Sequence, residues 1–154
     1  VPPLAALALS EASQGVKLAA ISALGGIGSL TSFGPLSDLA AHPDPVLRAA
    51  AVAALGRLGD PRAIDVIRRG LEAVEDRVRA QAAIAAGLVG SLELAPALAE
   101  RMEDPVWEVR YRAAEALHRL GMPGLALLSA TAAGEGPGGE MARELLAEKG
   151  GIHS

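Results

Sequence analysis

Apolar and polar positions follow a helical period over most of the chain. Leu47, Ala51, Val52, Leu55 and Leu58 fall three and four apart, which places them on one face of an α-helix. The pattern recurs in four segments: GVKLAAISALGGIG (15–28), VLRAAAVAALGRLG (46–59), RVRAQAAIAAGLVG (77–90) and EVRYRAAEALHRLG (108–121). Their basic residues Lys17, Arg48, Arg79 and Arg110 lie 31 residues apart. Ala20, Ala51, Ala82 and Ala113 keep the same register, as do Ala23, Ala54, Ala85 and Ala116, and Gly28, Gly59, Gly90 and Gly121. Identities at one fixed spacing identify an internal repeat.

Each unit predicts two helices. The first ends at a Gly, which supplies a left-handed turn. Asp44-Pro45 and Asp104-Pro105 provide an N-cap and a first-turn proline. The second helix is shorter, over about 62–72 and 93–103. Its inner face comprises Ile64, Ile67 and Leu71, then Ala95, Leu98 and Met102. The repeated Ala positions let helices approach closely, Ala20, Ala51, Ala82 and Ala113 marking the contact. One unit cannot bury its apolar face alone, so the units stack as a solenoid.

The expected organisation is a single solenoid domain over 1–154. It has a partial repeat at 2–12, repeats at about 15–45, 46–76, 77–107 and 108–133, a turn at 134–139 and a capping helix at 140–150. The incomplete first unit and the absence of an initiating Met lead to the expectation that the chain is part of a longer protein. Residues 18–37 carry no charge, but Gly25, Gly26, Gly28 and Pro35 interrupt them and they keep the repeat register. We therefore expect no membrane span there.

Composition supports this picture. The chain has 33 Ala and 23 Leu but one Phe, one Trp and one Tyr, so its core is aliphatic and helical. With no Cys, disulfides, thiolate metal sites and Cys nucleophiles are excluded. The net charge of −4 argues against a general nucleic-acid binder. Twelve Arg against two Lys, with no Asn, point to a GC-rich, thermophilic bacterial source. A cytoplasmic location is the expectation.

LRAAAVAALGRLGDPRAIDVI (47–67) and DPVWEVRYRAAEALHRLG (104–121) resemble the short HEAT-like repeats of phycobilisome-lyase-type proteins. The period of 31 is shorter than that of ordinary HEAT units, about 40–47. The resemblance implies an all-α, right-handed α-solenoid of stacked helix pairs. Such repeats serve mainly as protein-binding scaffolds, and a minority act in bilin attachment. The resemblance also implies that the second helices line the concave side, and that the repeated Arg and Asp residues are structural.

Candidate chemistry is sparse. Arg48, Arg79 and Arg110 are expected to form a structural ladder with Asp44, Asp76 and Asp104. Trp107 and Tyr111, four apart beside Arg112, form a candidate aromatic hot spot or cover an inter-repeat seam. His42, His118 and His153 show no metal spacing, and the His-Glu pairs of iron-binding HEAT-like hydroxylases are absent. Gly25-Gly26-x-Gly28 lies at a helix end, not between a strand and a helix, so no phosphate loop is expected. No Ser/His/Asp set can be nominated. The expectation is no catalytic residue, no metal and no cofactor.

Positions that vary while the core repeats are free to encode a partner. On the second helices these include Arg62, Asp65, Arg68, Arg69, Glu72, Glu93, Glu100 and Leu127. The expected function is a non-enzymatic scaffold that binds a protein, a peptide or another domain of the same longer chain on that face. An accessory or lyase-like subunit for tetrapyrrole attachment is the alternative, and a bilin-binding spectrum would reveal it. A DNA-binding HEAT-like module needs a basic concave face, whereas Arg62, Arg68 and Arg69 stand beside Asp65 and Glu72. No nucleic-acid partner is expected.

Overall fold

Two of the first helices start at a proline or a carboxylate, Pro45 and Asp76, and end on a left-handed glycine, Gly59 and Gly90. The computed structural model describes residues 13–27 and 30–150, with side chains omitted for residues 27 and 30. The expected partial repeat at 2–12 lies outside the described residues, as do Gly28 and the tail at 151–154. The first helices are α1 (Gln14–Ile27), α3 (Pro45–Leu58), α5 (Asp76–Val89) and α7 (Trp107–Arg119). The second helices are α2 (Phe33–Leu39), α4 (Ile64–Leu71), α6 (Ala95–Arg101) and α8 (Met122–Ala132). A last helix, α9 (Gly136–Gly150), closes the stack. No strand occurs among the described residues.

The local signals at Asp44-Pro45, Gly59 and Gly90 act where the sequence placed them. Asp44 accepts the Val46 N–H at 2.9 Å, with Pro45 in the first turn. Asp104 accepts the Val106 N–H at 3.0 Å, but Val106 is the N-cap of α7, so Asp104-Pro105 precedes the helix and does not supply the N-cap and first-turn proline expected of it: the loop runs two residues further before the chain turns helical. Gly59 and Gly90 end α3 and α5 at φ 71° and 72°, a conformation that costs a side chain energy and glycine little. The second helices are preceded by single 3-10 turns, Leu30–Ser32, Pro61–Ala63 and Leu92–Leu94. The uncharged stretch at 18–37 divides between α1 and α2, and no helix among the described residues is long and apolar enough to cross a membrane.

One element departs from expectation. The segment at 134–139, read as a turn, is helical from Gly136 onward. Pro137 suits a first helical turn because its missing N–H would have no intrahelical partner there. Gly138 and Gly139 are buried, and the Gly138 N–H donates to Glu103 Oε1 at 3.1 Å. A Cβ at Gly138 would collide with that carboxylate, so the glycine here serves close approach.

The first helices stack directly on one another: α1 on α3, α3 on α5, α5 on α7. The contact is glycine against alanine. A Cβ added at Gly25 would lie 2.7 Å from Ala54 Cβ, and one at Gly56 would lie 2.7 Å from Ala85 Cβ. Gly87 meets Ala116 in the same way at 3.2 Å. The tightest seam is thus the Ala54, Ala85 and Ala116 column. The Ala20, Ala51, Ala82 and Ala113 column is also buried, and Ala82 Cβ faces Gly70 of the preceding second helix.

Each second helix packs on the first helix of the following repeat, and the second helices touch each other little. Ile67, Leu71, Leu98 and Met102 are fully buried between the layers; Ile64 is half-buried, while Val66 and Leu94 join the core.

Candidate interaction surface

The Arg ladder is built between repeats. Arg48 donates to the His42 and Pro43 carbonyls at 3.3 and 3.5 Å and pairs with Glu75 of the next repeat. Arg79 donates to the Ala73 and Val74 carbonyls at 2.9 and 2.7 Å and to Asp104 of the next repeat at 2.7 and 3.1 Å. Arg110 donates to the Asp104 carbonyl at 2.8 Å. Arg48 and Arg79 thus each tie their own interhelical loop to the following one, and Arg110 holds its own loop. Glu75 occupies the place expected of Asp76, which is exposed in the first turn of α5. Asp44 accepts from Gln14 at 2.6 Å.

Electrostatics follow this geometry. Burial alone would raise the Asp104 pKa, but the bond from Arg79, the Val106 N–H and the Arg79 and Arg101 charges together lower it. The Arg48 bond lowers Glu75, and the Gln14 bond lowers Asp44.

On the second helices, the candidate partner-binding side chains are partly engaged with one another. Arg62 pairs with Asp60 at 2.6 Å and lies 4.3 Å above the Phe33 ring, bridging two repeats. Arg68 pairs with Asp65 at 2.6 Å and reaches Glu93 at 3.7 Å. Arg69 is exposed and lines a cleft of about 430 Å³ with Arg48 and Glu75. Glu72, Glu93 and Glu100 are exposed, whereas Leu127 is half-buried against the core.

The first helices present a second set. Val46, Ala50, Ala53 and Arg57 of α3 occupy one outward face, with Arg77, Gln81, Ile84 and Leu88 of α5 and Glu108, Arg112, Glu115 and Arg119 of α7 in register at a spacing of 31. Two clefts open on it. One of about 370 Å³ reaches from Ser22 across Ala50 and Ala53 to Arg57, Arg77 and Gln81. The other, about 250 Å³, joins Ile84 and Leu88 to Arg119, His118 and Lys149. Sequence reading passed over this face, although the signal was available: these positions vary inside the same fixed frame as those of the second helices.

Trp107 and Tyr111 stack with ring centroids 5.1 Å apart and planes 6° apart. Trp107 is 53% exposed, and the Arg112 guanidinium lies 5.6 Å from the Tyr111 ring. A cleft of about 120 Å³ joins Trp107 to Pro137 and Met141 of α9, so the pair lies at the seam with the closing helix. His42 Nδ1 accepts the Asp44 N–H at 2.9 Å, and His153 lies outside the described residues. His118 replaces the glycine of Gly25, Gly56 and Gly87 in the last repeat, where α9 does not repeat the Gly–Ala stack. No group of three or more His, Asp or Glu side chains among the described residues is placed to hold a metal ion.

Helix pairs at a fixed period, seamed by glycine and alanine and clipped by an arginine ladder, define an α-solenoid repeat protein. The profile for HEAT repeats matches residues 1–85 and 70–145, and the chain belongs to the HEAT-repeat family. No curated protein matches the sequence. Solved structures share the fold. The complex of CpcE and CpcF of phycocyanin lyase from Nostoc sp. PCC7120 is 24% identical with a TM-score of 0.69, over 88% of this chain and 58% of that one. Human deoxyhypusine hydroxylase in complex with glycerol is 24% identical with a TM-score of 0.68, over 77% of this chain and 42% of that one. A designed armadillo repeat protein is 16% identical with a TM-score of 0.61, over 92% and 78%. The chain therefore spans about half the length of the first two.

Proposed function

We propose that the chain is a non-enzymatic scaffold that binds a protein or peptide segment across the outward face of its first helices. One observation carries this reading. Within a frame whose Ala, Gly and Arg positions repeat every 31 residues, the outward positions change in every unit and border two open clefts. A recognition surface on a solenoid needs this separation of fixed core from variable face. The second-helix column fits the role less well, because Arg62, Asp65 and Arg68 are held in ion pairs and Leu127 is packed inward.

The test is affinity capture from the source lysate, read by mass spectrometry, with two variants alongside. Leu88→Asp, at a site 42% exposed, is expected to lose the captured partner while keeping its melting temperature. Arg68→Glu with Arg69→Glu is expected to retain it. Equal retention by all three proteins would place binding elsewhere, and capture of nothing above the resin background would count against a scaffold.

A further inference from the structure

The first-helix face is charged unlike the rest of the molecule. The whole chain carries −4, yet Arg57, Arg77, Arg119 and Lys149 all stand exposed along these two clefts. Among the described residues, none of the four has a carboxylate within 4.0 Å. Arg112, between them, is already held by Glu108 and Glu115, each at 3.0 Å. The unneutralised charge is therefore positive at both ends of the face. Ile84 and Leu88 form an apolar middle. Beside Arg57 the floor is Ser22, Ala50 and Ala53, side chains small enough for another backbone to lie close.

We infer that this face binds an extended acidic protein segment, with carboxylates at its two ends and an aliphatic side chain between them. The carboxylates meet Arg57 at one end and Arg119 and Lys149 at the other, and the aliphatic group rests on Leu88, which lies between Arg57 and Arg119 in the 31-residue register. Two helix spacings of about 8–10 Å separate α3 from α7. An extended chain rises about 3.3 Å per residue, so about five or six residues span the face. Unpaired cations on a surface favour an anionic partner and speed its encounter. Nucleic acid fits less well, because Glu108 and Glu115 interrupt the row of cations that a phosphate backbone follows. The inference rests on the scaffold reading and adds the chemistry of the partner.

The experiment is fluorescence anisotropy with a labelled hexapeptide that has two acidic residues at each end and Leu-Leu at its centre. Saturable binding that weakens at high salt is expected. Arg57→Glu with Arg119→Glu should weaken it about tenfold or more, equivalent to about 1.4 kcal/mol. Arg68→Glu with Arg69→Glu should leave it unchanged, and thermal melting confirms that both variants fold. The inference is overturned if the first variant binds as well as the parent, if a peptide with Lys ends binds equally, or if short duplex DNA binds more tightly. Should lysate capture find a partner lost in Leu88→Asp while the acidic peptide fails to bind, the surface stands and its assigned chemistry falls.

Discussion

Replacing Asp104 tests whether the ladder holds successive repeats together. Its side chain is fully buried and accepts four hydrogen bonds: two from Arg79, one from Arg101 at 3.2 Å and one from the Val106 N–H at 3.0 Å. Asp104→Ala removes the acceptor of the Val106 N–H, worth about 1 kcal/mol. It also leaves the Arg79 guanidinium, 11% exposed, without its carboxylate. Breaking a buried pair from one side costs about 3–5 kcal/mol. Arg79 keeps the Ala73 and Val74 carbonyls, and Arg101 is free to turn toward water, so we expect about 3 kcal/mol in all. Asp104→Asn keeps an oxygen for the Val106 N–H and removes the charge, with an expected loss of about 2 kcal/mol.

Urea denaturation followed by circular dichroism measures both losses, provided the slope with denaturant stays constant. The pH dependence gives a second readout. The folded pKa of Asp104 is lowered from its ordinary 3.8, so its contribution to stability is fully present above that value. It is lost as pH falls through the lower folded value, and Asp104→Asn should flatten the stability curve in that acid window. A loss below about 1 kcal/mol for Asp104→Ala would show that the ladder contributes little beyond one ordinary hydrogen bond.

Three further predictions follow from the packing. Gly56→Val should cost about 1–3 kcal/mol by overpacking against Ala85, while Gly26→Ala, which meets nothing within 4 Å, should be neutral or stabilising; thermal melts of the two variants separate close approach from helix propensity. Leu98→Ala, at a fully buried site between layers, should cost about 2–5 kcal/mol in urea, and a smaller loss would mean the site collapses around the cavity. Trp107→Ala removes a stacked but half-open ring and should cost only about 0.5–1.5 kcal/mol. A much larger loss in its melting curve would show that the Trp holds α9 in place.

Much of the fold was legible because it is encoded locally and repeatedly. A period of 31, helical spacing of apolar residues, Asp-Pro starts and Gly stops determine helix pairs and their stacking. Pairing across repeats was harder to read. Asp76 is closer to the expected cap pattern than Glu75, but the path of the loop brings Glu75 to Arg48 and leaves Asp76 in water. The segment at 134–139 looked like a turn from composition, since glycine disfavours helix. Only the Glu103 carboxylate waiting at Gly138 shows why glycine is needed in that helix.

By itself the sequence determined an all-helical repeat architecture, because each unit carries its own caps, stops and apolar stripe. It did not determine which positions form the tightest seam between repeats. That depends on how closely neighbouring helices approach, and the distance is set by Gly25, Gly56 and Gly87 meeting Ala54, Ala85 and Ala116 one repeat away. Contacts between residues 29 apart become visible only when the chain is folded. The tertiary structure therefore decided that Arg62 and Arg68 are largely engaged within the solenoid, and that Arg57, Arg77 and Leu88 face outward together.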